Sequence, residues 1–394
     1  MARAPISKTK LIIFSITALL ITCFCLEFSA RLVLSFKRNS FEYIFYGFKE
    51  IQQKQRLQKI EGKAGEEAYY KSTPSDDAIN PVNSLGFRGP EIYSKKSGTI
   101  RIVCLGSSTT YGDGLDYRDT YPAILQHILD ERAGKGKYEV INSGQPGLHL
   151  TQIASLVKYE ILPLKPDLVI LMNINNNLNV PGVWFVDIKG SASKERPPAV
   201  SPLIKLKHFA VQNSAAACLI QGFFYDGLVR YFVKFDWDSY SRKLMAPDNI
   251  WQKEFESNLE KILKLLMAYN PDINIVLLGE AVNTVRFPAM GAPFCRAKEI
   301  MSAAAEKHKN IFMVDLQAAI INAAKDGKNV WQTPAYDPLH LTRDGNEIIA
   351  DLLAAQLSSM FLQPDKNKLT LEGPRGTGDI TLRKSARFVQ YPGI

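Results

Sequence analysis

The chain has 394 residues, of which 46% are hydrophobic and 22% charged, and a formal net charge of +9. These proportions exclude a disordered chain and leave room for one large folded domain or two modest ones. The charge is unevenly spread: residues 1–60 carry +7, residues 364–394 carry +3, and the body between them −1. A nucleic-acid binder carries its basic face on the folded body, so this distribution argues for a membrane-adjacent protein and against nucleic acid as a partner. The five cysteines show no CxxC spacing. They form neither a zinc motif nor a disulfide framework, although a single Cys218–Cys295 bridge stays open.

Leu11 to Leu26 is almost wholly apolar and follows Arg3, Lys8 and Lys10. Extended to Phe36, it reaches the roughly 20 residues that a membrane span requires. Glu27 and Arg31 stand one helical turn apart within it and can pair. A cleaved signal peptide is the competing reading, but no A-x-A-like site follows and the apolar character continues past Arg31. Residues 1–38 are therefore predicted to be an uncleaved, single-pass membrane anchor. The basic residues ahead of the span place the N-terminus in the cytoplasm and the body outside it, while Lys37 and Arg38 beyond the span oppose that orientation. Residues 39–82 are predicted to be a juxtamembrane helix, running to about residue 72, and then a linker. The turn-rich segment Asn83-Ser84-Leu85-Gly86-Phe87-Arg88 leads into the main domain, residues 83–363.

From Ile100 onward, apolar β-branched runs alternate with helix-like stretches. Strands are predicted at 100–105, 138–142, 167–173, 273–279 and 310–315. Helices are predicted near 120–133, 151–161, 251–268, 295–307, 316–325 and 344–361. Alternating β and α elements imply an α/β fold with a parallel sheet covered on both faces. The alternation breaks at 178–249, an insertion rich in aromatic residues such as Trp184, Phe185, Phe223 and Tyr225. It reads either as a small helical subdomain or as a lid and acyl-binding wall. Residues 364–394 lack periodicity and read as a basic, loosely ordered tail.

The chemistry centres on Gly106-Ser107-Ser108-Thr109-Thr110-Tyr111-Gly112. This hydroxyl-rich turn follows the first strand, and ligands of open α/β sheets bind at the carboxyl ends of strands. The working reading makes Ser108 a nucleophile, which requires a base and a group to orient that base. Of the five histidines, His127 lies in the helix after the turn, His149 beyond the second strand, His208 in the insertion and His308 in a Lys-rich stretch before the last strand. His340 stands apart, in Asp337-Pro338-Leu339-His340 between the last strand and the last helix. Asp337 can fold back within one turn to accept a bond from the imidazole, and Pro338 stiffens that turn. Two further rim loops, Asn142–Gly147 and Asn173–Asn177, offer backbone and side-chain amides for an oxyanion. No metal-ligand cluster is visible, and triad chemistry calls for no cofactor.

In this order the blocks resemble the SGNH (GDSL-type) hydrolase family, of the membrane-anchored bacterial kind, over about residues 83–361. Gly106–Gly112 resembles the nucleophile block, with Ser107 where Asp is common and Ser108 at the nucleophile. Asn142-Ser143-Gly144 resembles the second block and places Gly144 at the oxyanion glycine. Pro166–Ile170 leading to Asn176 resembles the third and places Asn176 at the oxyanion asparagine. Asp337-Pro338-Leu339-His340 resembles the last. The third block departs from the usual Gly-x-Asn-Asp, since Ile174-Asn175-Asn176-Asn177 lacks both the glycine and the final acid. A slip to Asn175 or Asn177 stays open.

The resemblance implies a three-layer α/β/α sandwich on a five-stranded parallel, flavodoxin-like sheet, preceded by the transmembrane helix. It implies a serine esterase with catalytic Ser108, Asp337 and His340 and an oxyanion hole of Ser108, Gly144 and Asn176. The partners implied are an acyl-ester substrate, a glycan or a lipid of the cell envelope, and the membrane. Two other readings stay open: O-acyl transfer to a glycan, and a membrane-tethered binding protein on a degenerate hydrolase scaffold.

Overall fold

The computed structural model describes residues 7–38, 57–62, 67–178, 214–221, 237–247, 249–332 and 337–361. The chain divides into two compact units, one made of residues 1–57 and 189–236, the other of residues 58–188 and 237–394.

In the first unit, helix α1 (Lys8–Arg38) contains a 26-residue stretch, Lys8–Val33, long and apolar enough to cross a membrane. Glu27 and Arg31 pair on it at 3.0 Å. The same carboxylate accepts the Ser214 hydroxyl at 2.8 Å and the Ala215 and Ala216 N–H groups at 3.0 and 3.1 Å. Those N–H groups begin the short helix Ala215–Gln221, where they have no intrahelical acceptor. Glu27 therefore caps that helix and satisfies its own charge at once. Buried Ala30 and Ala215 have only methyl side chains, which lets helix backbones come close.

The second unit holds the sheet. Its strands are β1 (Ile100–Gly106), β2 (Tyr138–Asn142), β3 (Leu168–Met172), β4 (Asn274–Gly279) and β5 (Ile311–Asp315), in the order β2-β1-β3-β4-β5 and all parallel. The sequence places each strand within one residue of where it lies. The runs are legible because helices cover both sheet faces, so inner strands such as Leu168-Val169-Ile170-Leu171-Met172 are buried throughout.

Alternate residues feed two cores. Cys104, Ile170 and Leu278 pack with Leu125 of α3 (Tyr121–Ala133), Ile320 of α8 (Gln317–Lys325) and Leu353 of α9 (Arg343–Phe361). Val103, Leu171 and Leu277 face the other way. That layer contains α4 (Leu150–Leu156), α6 (Trp251–Tyr269) and α7 (Gly291–Glu306). The three-layer α/β/α arrangement follows. Truncating a central residue such as Ile170 to Ala would cost about 2–5 kcal/mol.

The chain leaves β1 for β2 on one side and crosses to β3 on the other. This reversal opens a crevice beyond the carboxyl ends of β1 and β3, the favoured place for a ligand.

Some expectations need correction or lie elsewhere. Residues Leu57–Ile60 and Tyr69–Ser72 form a two-stranded ribbon, where a juxtamembrane helix was expected to run to about residue 72. Tyr69, Tyr70 and Ser72 are buried, so tertiary packing overrides the Gln/Lys-rich composition around them. Helix α7 begins at Gly291, four residues before the predicted start, and Pro293 is tolerated in its first turn. Cys295 is a free thiol. In the insertion, the described parts are Ala215–Gln221 and α5 (Trp237–Leu244). Trp184, Phe185, Phe223 and Tyr225, residues 39–56 and the tail at 364–394 lie outside the described residues, and with them the lid reading.

Candidate active site

Ser107 and Ser108 end the passage out of β1. Ser108 is the first residue of α2 (Ser108–Tyr111), a single helical turn closed by Gly112 at φ +79°. A left-handed φ at that point favours glycine. Arg88 braces the same turn. Its Nη1 donates to the Tyr111 and Gly112 carbonyls at 2.8 and 2.6 Å, and Nη2 bonds Asn80 Oδ1 and the Leu115 carbonyl. The guanidinium also lies 4.8 Å from the centre of the Tyr111 ring. The carbonyl end of α2 is thereby tied to the Gly86-Phe87-Arg88 segment.

His340 meets Ser108 from the far end of the chain. Its Nε2 lies 2.9 Å from Ser108 Oγ, and its Nδ1 lies 2.6 Å from Asp337 Oδ2. Asp337 Oδ1 accepts the backbone N–H groups of Leu339 and His340 at 2.8 and 3.1 Å. The Asp-Pro-Leu-His turn therefore fixes its own carboxylate before that carboxylate fixes the imidazole. Burial opposes ionisation of Asp337, but its bond and charge pairing with His340 and the two N–H bonds hold the pKa below its usual value. Burial likewise opposes a charged His340. The bond to Asp337, its charge, and the charges of Asp113 and Glu280 outweigh burial and raise the imidazole pKa above its usual value.

Gly144 packs directly on α2: a Cβ at this position would lie 2.3 Å from the Tyr111 backbone nitrogen. Only glycine fits there without displacing α2. Its N–H donates to Asn142 Oδ1 at 3.1 Å. It has one hydrogen, so a bond to an oxyanion must share or replace that contact.

The asparagine cluster forms a 3₁₀ turn, Asn175–Asn177, just beyond β3. Asn177 is committed to structure: Oδ1 accepts Leu150 N–H at 2.8 Å, and Nδ2 donates to the Asn173 carbonyl and Oδ1 at 3.2 and 2.9 Å. Asn175 donates to Asn176 Oδ1 at 3.4 Å, which orients the Asn176 amide. Asn176 Nδ2 donates to the Leu148 carbonyl at 3.1 Å and keeps a second hydrogen.

Two residues with work at this loop were not singled out in the sequence. The His149 backbone N–H donates to Gln152 Oε1 at 3.0 Å at the start of α4. Burial pulls its pKa below the usual value, in keeping with a neutral imidazole in a structural role. Glu280 follows β4 and is 2% exposed. It lines the same cavity as Ser108, Asp113, Met172 and His340. The signal available in the sequence was its place alone, directly after the fourth strand on the rim that carries the other blocks.

The profile of the GDSL-like lipase/acylhydrolase family matches residues 104–348, more than half of the chain. The chain belongs to this family. It is accordingly a hydrolase that acts on ester bonds. The matched span runs from the strand before Ser108 past His340. No curated protein matches the chain.

Three solved structures match about two thirds of the chain. An α/β hydrolase enzyme from the metagenome of Lake Arreo, Spain, is 18% identical, with 67% of this chain and 97% of that chain covered and a TM-score of 0.41. An acetylxylan esterase from Geobacillus stearothermophilus, solved as a catalytic mutant, is 14% identical over 67% and 96%, with a TM-score of 0.41. A member of the lipolytic G-D-S-L family from Veillonella parvula is 14% identical over 66% and 99%, with a TM-score of 0.40.

Proposed function

We propose that this chain is a membrane-anchored serine esterase that removes an acyl group, such as acetyl, from a glycan or lipid of the cell envelope. The observation that carries the mechanism is the continuous path Ser108 Oγ–His340 Nε2, then Nδ1–Asp337 Oδ2, at 2.9 and 2.6 Å. Ser108 attacks the ester carbonyl and gives its proton to His340. Asp337 fixes the tautomer and stabilises the imidazolium. His340 then protonates the leaving alcohol, and water, activated by the same imidazole, releases the acyl group from Ser108.

The developing oxyanion is bound by the Ser108 and Gly144 N–H groups and Asn176 Nδ2. Ser108 suits this role because the first N–H groups of a helix lack intrahelical acceptors. The Asn177 bonds favour Asn176 over Asn177 as the side-chain donor.

The membrane-length α1, with basic residues Arg3, Lys8 and Lys10 at its start, supports an anchor with the hydrolase on the extracytoplasmic side. Esters of the envelope are then within reach.

The test is hydrolysis of a chain-length series of aryl esters by the full-length protein in detergent. The parent should cleave esters of this series, and Ser108→Ala should lose at least about 10³-fold in kcat on the best of them. Equal rates for the two would refute the assignment. Adding a glycan acceptor separates hydrolysis from acyl transfer by the product formed.

A further inference from the structure

Glu280 is a buried carboxylate for which the triad has no use, yet it joins two parts of the site. Oε1 accepts the Thr109 hydroxyl at 2.8 Å, and Thr109 is the residue after Ser108 on α2. Oε2 accepts the backbone N–H groups of Ile174 and Asn175 at 2.7 and 2.8 Å. These N–H groups lead into the 3₁₀ turn that carries Asn176. One carboxylate from the end of β4 thus holds the nucleophile turn at the end of β1 and the asparagine loop at the end of β3.

We propose that Glu280 is a positioning residue that clamps the Asn175–Asn177 turn to the nucleophile turn and so sets the distance between the oxyanion donor and Ser108. This rests on the serine-esterase reading of the site. The third block lacks its usual glycine and final acid, and its own asparagines tie the loop to Leu148, Leu150 and Asn173 but not to the nucleophile turn. Glu280 provides an acid from elsewhere in the chain. The arrangement suits a carboxylate, because two oxygens take three donors in a site 2% exposed. A bond to the charged acceptor is stronger than one between neutral groups. Loops that hold oxyanion donors need this rigidity, since a displacement of about 1 Å costs on the order of 10² in rate.

Two conservative variants test the clamp. Glu280→Gln keeps the shape and removes the charge and one good acceptor. Thr109→Val removes the hydroxyl donor alone. The charged groups that act on His340 are Asp337 on its own turn, Asp113 after α2 and Glu280 after β4. Glu280→Gln should therefore move the acid limb of kcat/KM to lower pH, whereas Thr109→Val should leave it in place. Both should lower kcat, Glu280→Gln by about 10–10²-fold, with KM changed by less than about threefold. A merely structural role would lower the melting temperature and leave kcat, measured well below that temperature, unchanged.

Amide hydrogen exchange at Ile174 and Asn175 gives a readout independent of turnover. It should quicken in Glu280→Gln while the β1 and β3 amides keep their protection. Unchanged kcat and an unmoved acid limb in Glu280→Gln, with the parent active, would overturn the proposal. If the parent hydrolyses no ester, the esterase reading fails on that result. The clamp is then judged by exchange: faster exchange retains it, and unchanged exchange overturns it.

Discussion

His340 Nε2 lies 2.9 Å from Ser108 Oγ although 232 residues separate the two in the chain. The contact follows from the sheet. Ser108 begins the turn after β1, and His340 ends a turn that Asp337 ties to its own backbone. Both turns reach the same rim, so the two side chains meet there.

The raised pKa of His340 gives a pH prediction. Only the neutral imidazole can accept the Ser108 proton, so kcat/KM should fall on the acid side, with its limb above the ordinary imidazole value of 6.5. Asp337→Asn should move that limb to lower pH and reduce kcat on the order of 10⁴-fold. A folded-state histidine pKa above the unfolded one stabilises the fold fully below the unfolded value. That contribution is lost as pH rises through the folded value. A pH–rate profile and imidazole NMR titrations check both statements.

Gly144→Ala tests the approach of the second block to the nucleophile. The added methyl would sit 2.3 Å from the Tyr111 nitrogen, against backbone that cannot swing away. A loss of about 1–3 kcal/mol of stability is expected, with a fall in kcat as α2 is displaced. Denaturant unfolding and steady-state rates on the same preparation give the two numbers.

Substitutions in the asparagine cluster should separate by effect. Asn176→Ala should lower kcat by about 10²–10³-fold and, with its bond to the Leu148 carbonyl lost, cost only about 1 kcal/mol of stability. Asn177→Ala removes the acceptor for Leu150 N–H and two bonds to Asn173, so it should act mainly on stability. The reverse pattern would move the oxyanion donor to position 177.

Glu27 makes α1 part of a folded unit. Because it caps Ala215–Gln221, the α1 helix should remain on the mature protein, and intact mass measurement of membrane-extracted material should include it. Glu27→Ala should increase proteolytic cleavage near Ser214, where the cap is lost, without altering the ester hydrolysis rate.

The parts legible in sequence were those encoded locally. Buried strands show as continuous apolar runs, and the Ser108 and Asp337–His340 turns carry their chemistry within a few residues. Glu280 was hidden for the opposite reason. Its partners lie 171, 106 and 105 residues away, and a single acid after a strand has no pattern of its own. His149 is half-hidden for a similar reason, since its burial beside the asparagine loop comes from tertiary packing and not from its neighbours in the chain. Composition alone reads the ribbon strand Tyr69–Ser72 as the end of a helix. Its hydrogen bonding to Gln145, through both the Ser72 N–H and hydroxyl at 2.9 Å, depends on tertiary contacts that composition does not record.

The central claim is that Ser108 is the nucleophile activated by His340. Mass spectrometry after treatment with a fluorophosphonate tests it most directly. One adduct should form, on the peptide containing Ser108, and it should be absent from Ser108→Ala and slowed at least about 10²-fold in His340→Ala. An adduct on another residue, or equal labelling of the parent and Ser108→Ala, would contradict the account.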